Sequence, residues 1–149
     1  MQKTLDIDPE RVLVNGNLAN CLCELKRYDE AIPYLKRSLS KEDDIIHPDV
    51  GPKCLENYSK ILYLKKNYVE SVKLLDQLID RKDFETNQNE DKIFCLLSKC
   101  YLQLKECDNS LKFVNKALEI NPIDSEYQKL KKNIQQRIWY LTVPSLLMP

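Results

Sequence analysis

Few side chains in this sequence have the type and spacing needed to run a reaction. Triad and metal chemistry usually draw on histidine, and the single one, His47, stands alone before Pro48. Loops that cradle phosphates need several glycines close together, whereas Gly16 and Gly51 are far apart. Among the cysteines, Cys21 and Cys23 form the one close pair, with no second pair at zinc-binding spacing. Carboxylates such as Glu24 and Glu56 fall on helix faces that read as exposed. The pattern calls for no enzyme activity, no cofactor and no metal. What remains is recognition chemistry, carried by Asn17, Asn20, Lys53, Asn57, Lys60, Lys92 and Lys99. An amide both donates and accepts hydrogen bonds, as a peptide backbone requires, and an ammonium group favours a carboxylate.

Helices must position these groups. From Phe94 onward, Phe94, Leu97, Tyr101 and Leu104 recur at helical spacing. Lys105 to Cys107 break the stripe, and Asp108 or Asn109 is the expected cap of the next helix. A second stripe, Leu111, Val114 and Leu118, stops at Asn121-Pro122, because proline disfavours helix in the residue before it. Ser98 and Ser110, one on each helix, are small enough to let two antiparallel helices close up. The same arrangement occurs twice more. The first small residue is Ala19, Ser59 or Ser98 and the second is Ala31, Ser71 or Ser110, at a period of about 40 residues. One hairpin cannot bury both apolar faces by itself, so the copies must stack.

This pattern resembles the tetratricopeptide repeat family. Its signature is filled in the third copy by Leu97, Ser98, Tyr101, Ser110, Val114, Ala117 and Pro122, with Cys107 in place of the turn tyrosine. In the first copy the matching residues are Leu18, Ala19, Leu22, Tyr28, Ala31, Leu35 and Ser38. Every copy departs from the family in lacking the turn glycine. The period also exceeds the family's usual length of about 34, the excess falling in Lys41–Gly51 and Asp83–Glu90. His47-Pro48-Asp49-Val50 is similar to the linker of the long-period subclass seen in kinesin light chains. The resemblance implies an all-α, right-handed superhelical solenoid of antiparallel helix hairpins, with three repeats and a C-terminal capping helix. The expected divisions are a stub at 1–8, repeats at 9–47, 48–87 and 88–122, a capping helix at 123–140 and an apolar tail at 141–149. Thr4–Pro9 resembles Ala117–Pro122, so the stub reads as the end of a preceding repeat or as a short cap. Tyr127, Leu130 and Ile134 form the inward stripe of the capping helix.

A stack of such hairpins forms a concave groove along its first helices. The pleat assigns the seven amide and ammonium residues to it, together with Leu13, Gly16, Cys23, Glu56, Tyr63, Cys95, Leu96 and Leu102. A groove of this character suits an extended peptide with acidic side chains or a free C-terminal carboxylate. The co-chaperone branch of the family, whose groove holds the C-termini of heat-shock chaperones, is similar at Asn20, Asn57 and Lys92. Gly16 and Leu96 stand where that branch has lysine and arginine, which removes a bidentate carboxylate contact. The expected function is a protein-interaction scaffold or adaptor. A co-chaperone-type module, a piece of a larger multi-repeat assembly protein and a regulatory module of an absent catalytic domain are the alternatives.

Composition narrows the partners to protein or peptide. Lysines plus arginines and aspartates plus glutamates both number 23, so no long-range field gathers nucleic acid or an anionic membrane. The basic cluster Lys129, Lys131, Lys132 and Arg137 reads as a solvated helix face. No apolar run is long enough to span a bilayer, and Met1–Thr4 has no hydrophobic signal region, so the expected location is cytoplasmic. Cys21 and Cys100, at matching repeat positions, are expected to pack as small apolar groups, consistent with a reducing compartment.

Overall fold

A computed structural model describes residues 9–39, 49–81 and 89–147. Among them every regular element is a helix: α1 (Pro9–Glu24), α2 (Tyr28–Ser38), α3 (Gly51–Leu64), α4 (Tyr68–Ile79), α5 (Glu90–Gln103), α6 (Cys107–Ile120) and α7 (Ser125–Leu147). The fold is all-α, as the stripes require. The stub at 1–8, His47 and most of both inserts lie outside the described residues.

Three turns, after α1, α3 and α5, are built alike. Lys26, Lys66 and Lys105 occupy the left-handed region with φ of 58°, 63° and 64°. In each, the lysine N–H donates three residues back (to the carbonyls of Cys23, Tyr63 and Leu102) and the next N–H donates five back (to Leu22, Leu62 and Tyr101). This is the Schellman closure, which satisfies the last carbonyls of the helix and usually employs glycine. Lysine fills the glycine's place in every copy. Because the turn closes so tightly, α6 starts directly at Cys107, and neither Asp108 nor Asn109 caps it. Asn109 Nδ2 instead donates to the Glu106 carboxylate at 2.8 Å.

The chain forms two compact units, Met1–Ile61 and Leu62–Pro149. In the first, α1 and α2 pair around Ala19 and Ala31, both fully buried, with Leu22, Leu35, Cys54 and Ile61 in the same core. Gly16 belongs to this core for a steric reason that its helix propensity hides. A Cβ there would lie 2.8 Å from Val50 Cγ2 and 3.0 Å from Ser38 Oγ. Glycine therefore permits Val50 and α2 to approach α1.

In the second unit α5 and α6 interlock through the two small residues. Ser98 Oγ donates to the Ser110 carbonyl at 2.8 Å, and Ser110 Oγ returns a bond to the Ser98 carbonyl at 2.7 Å. Both are fully buried. The Phe113 ring stacks on Tyr101 with centroids 5.6 Å apart and on Phe94 at 6.0 Å. On one side α4 lies against α5, with the Cys100 thiol 3.4 Å from Ser71 Oγ. On the other, α7 lies against α6 and α5, burying Tyr127 and Ile134 with Leu130 half-buried. Asp124 caps α7 by accepting from the N–H groups of Glu126 and Tyr127 at 2.8 and 3.0 Å. The helix does not end at 140: it runs to Leu147, so most of the expected apolar tail is helical. Thr142 Oγ1 donates to the Ile138 carbonyl within it. Pro144, which has no N–H to give, falls near its end.

Candidate interaction surfaces

In the first unit the expected groove residues separate into open and engaged groups. Asn17 and Lys60 are exposed. Asn20 and Asn57 answer each other: Asn57 Nδ2 donates to Asn20 Oδ1 at 2.9 Å, and the Cys54 thiol reaches the same oxygen at 3.7 Å. Lys53 Nζ lies 3.3 Å from Glu56. Gly16 and Cys23 are buried and line no groove, because Val50 and the α3 side of the core cover them.

In the second unit Lys92 is exposed, whereas Lys99 bonds to Glu126 at 2.5 Å. Partial burial alone would lower the Lys99 ammonium, but the bond and charge of Glu126 outweigh it and hold the group protonated above its ordinary value. Beside it, Tyr127 Oη donates to Asp91 Oδ2 at 2.9 Å. Burial and the Asp91 carboxylate push that phenol well up. Cys95 and Leu102 are buried, contrary to a groove-lining role. Burial raises the Cys95 thiol to about 11, so it is inert as a nucleophile at neutral pH. The sequence reading missed Asp91 and Glu126 on this side and gave Tyr127 only a packing role in the inward stripe of the capping helix. The signal was present in Asp124 and Glu126, two carboxylates opening a helix that must cover α5.

The cysteines divide by surroundings. Cys23, Cys54, Cys95 and Cys100 are buried, Cys107 is half-buried and Cys21 is exposed. The expectation that Cys21 packs like Cys100 is therefore wrong. Its repeat position is equivalent, but no described helix of its unit covers it. A hollow of about 370 Å³ opens between the α5–α6 turn and the second half of α7, lined by Lys105, Cys107, Asp108, Ile138 and Leu141 among others.

Paired antiparallel helices with reciprocal small-residue contacts define a helical repeat protein of the interaction class. Residues 14–40 and 91–124, which take in most of α1 with all of α2 and nearly all of α5 with all of α6, match the family model "Tetratricopeptide repeat". These two stretches are thus similar to tetratricopeptide repeats. It is also similar to anaphase-promoting complex subunit 3 of Dictyostelium discoideum, being 43% identical over 53 residues. That match covers 36% of this chain and 5% of the relative's length. No described helix is long and apolar enough to cross a membrane.

Proposed function

We propose that this protein is an interaction scaffold that binds an acidic peptide segment or C-terminus on the exposed side of its first helices. The observation that carries the reading is the tetratricopeptide hairpin itself, together with the open ammonium group of Lys92 on α5. Lys99 is already neutralised by Glu126, so an incoming carboxylate meets Lys92 first and must displace Glu126 to reach Lys99. In the first unit Asn17 and Lys60 are the open polar groups, while Asn57 is engaged with Asn20 and Lys53 with Glu56. The co-chaperone form is less favoured, since the Gly16 position has no room for the lysine that branch carries there. A second reading, a repeat segment of a larger assembly, draws support from the likeness to a subunit of a multi-protein complex.

The test is a calorimetric titration with acidic C-terminal peptides, free and amidated, at two salt concentrations. Lys92→Glu weakens binding and flattens its salt dependence. Glu126→Gln tightens it by releasing Lys99, and Asn57→Ala weakens it through the first unit. Affinity unmoved by all three variants removes the acidic-peptide reading.

A further inference from the structure

The inward stripe of α7 outlasts the hairpin that it covers. Tyr127, Ile134 and Leu141 stand two turns apart and share one side of the helix. Tyr127 and Ile134 are 4% and 0% exposed, but Leu141 is 71% exposed. At Leu141 the helix has reached the α5–α6 turn, where Ile138, Leu141 and Thr142 edge the hollow. It then runs on to Leu147, about 7 Å further. Successive helical residues turn by about 100°, so Trp139, Tyr140 and Leu141 face three directions. Trp139 and Tyr140 are 56% and 62% exposed, with their rings edge to face at 5.2 Å. Residues 138–149 include no charged side chain, and the Thr142 hydroxyl is satisfied within the helix by the Ile138 and Trp139 carbonyls. A helix apolar on all sides suits an apolar medium around it, whereas a protein groove or a second copy covers one side.

Charge prepares the same helix for an anionic surface. After Glu126 the sequence contains no aspartate or glutamate, only the cations Lys129, Lys131, Lys132 and Arg137. The zero total therefore hides a basic α7 balanced by an acidic remainder. Glu126 itself is held by Lys99. In the neighbouring turn Lys105 stands against Glu106 and Asp108, so the attraction comes from α7. We propose that the second half of α7 is an interfacial anchor that seats this protein on a membrane surface containing anionic lipid. Trp139 and Tyr140 lie at headgroup level, Leu141 enters the acyl boundary, and Lys132 and Arg137 meet lipid phosphates. Residues 138–147 span about 15 Å, half the hydrocarbon thickness of about 30 Å, so the helix rests in the interface and does not cross. Pro144 leaves the Tyr140 carbonyl without its helical donor, and at the interface water supplies one. The proposal goes beyond the acidic-peptide reading and does not rest on it.

Trp139 is the sole tryptophan, so its fluorescence reads the event directly. The full chain is titrated with phosphatidylcholine vesicles and with vesicles mixed from phosphatidylcholine and phosphatidylserine, and co-sedimentation is measured alongside. With the mixed vesicles the emission shifts to the blue, acrylamide quenches it less, and the protein pellets with the lipid. With phosphatidylcholine alone, binding is at least about tenfold weaker. Leu141→Gln weakens binding to the mixed vesicles at least about tenfold, while circular dichroism shows an unchanged helix content because Leu141 is already exposed. Lys132→Gln and Arg137→Gln each weaken it about fivefold. Emission that the mixed vesicles leave unmoved, or binding undiminished in Leu141→Gln, overturns the proposal. Equal affinity for the two kinds of vesicle overturns the anionic seat. A blue shift that grows with protein concentration in the absence of lipid also overturns it, by making a second copy the occupant.

Discussion

The α1–α2 and α5–α6 hairpins run on the same plan with different outcomes at their edges. Both close with a left-handed lysine, at Lys26 and Lys105, and both meet through small residues, Ala19 with Ala31 and Ser98 with Ser110, all fully buried. The serine pair adds two reciprocal hydrogen bonds that the alanine pair cannot make. Outside the hairpin the two diverge. The outer line of α5 (Ile93, Leu97, Cys100) is dry because α4 lies on it, whereas the equally apolar line of α1 (Val14, Leu18, Cys21) is exposed. A repeat's sequence therefore determines how its two helices join, but the burial of its outer face belongs to its neighbour.

The largest expected effect breaks the comparison at one residue. Leu97→Ala removes a fully buried side chain and is expected to cost about 2–5 kcal/mol in urea unfolding. Leu18→Ala, at the matching position and 41% exposed, is expected to cost under about 1 kcal/mol, a fraction of a buried leucine's transfer energy. Equal losses would mean the α1 line is buried in solution. Next comes Gly16→Ala, which inserts a methyl against Val50 and Ser38. Overpacking of this kind costs about 1–3 kcal/mol, enough to outweigh the gain of up to about 1 kcal/mol from alanine's helix propensity. Trimming the obstacle with Val50→Ala in the same chain should recover part of the loss, and a stabilised Gly16→Ala variant would refute the close approach. The smallest effect sharpens what the hairpins share. Lys26→Gly and Lys105→Gly each relieve a left-handed side chain worth about 1–2 kcal/mol, offset in part by the added freedom of the unfolded chain, about 0.4–1 kcal/mol. Both should raise the thermal midpoint by similar small amounts, and unequal gains would show that the turns are not equivalent.

The hairpin architecture was legible because it is written in local spacing. Ala19, Ser59 and Ser98 recur at one offset, as do Ala31, Ser71 and Ser110, and each is buried. The turns were only half legible. The missing glycine was visible, but a lysine holding a left-handed φ has no residue signature, so the start of α6 was placed two or three residues late. The groove was least legible, since position on a helix does not name a partner. Asn20 with Asn57, Lys53 with Glu56 and Lys99 with Glu126 are pairings made in three dimensions. For the same reason Cys21 and Cys100 looked alike: one letter in one frame, with different company. The apolar run after Tyr140 read as a tail, yet most of it continues α7, where a proline close to the helix's end leaves few carbonyls short of a donor.

The phenol of Tyr127 fastened to Asp91 joins the first turn of α7 to the first turn of α5. Shortening the protein at Pro122 would therefore unpin α5 at its start while stripping the cover from Val114 and Ala117. Anyone trimming this protein for expression should keep α7 attached, or expect an aggregating product.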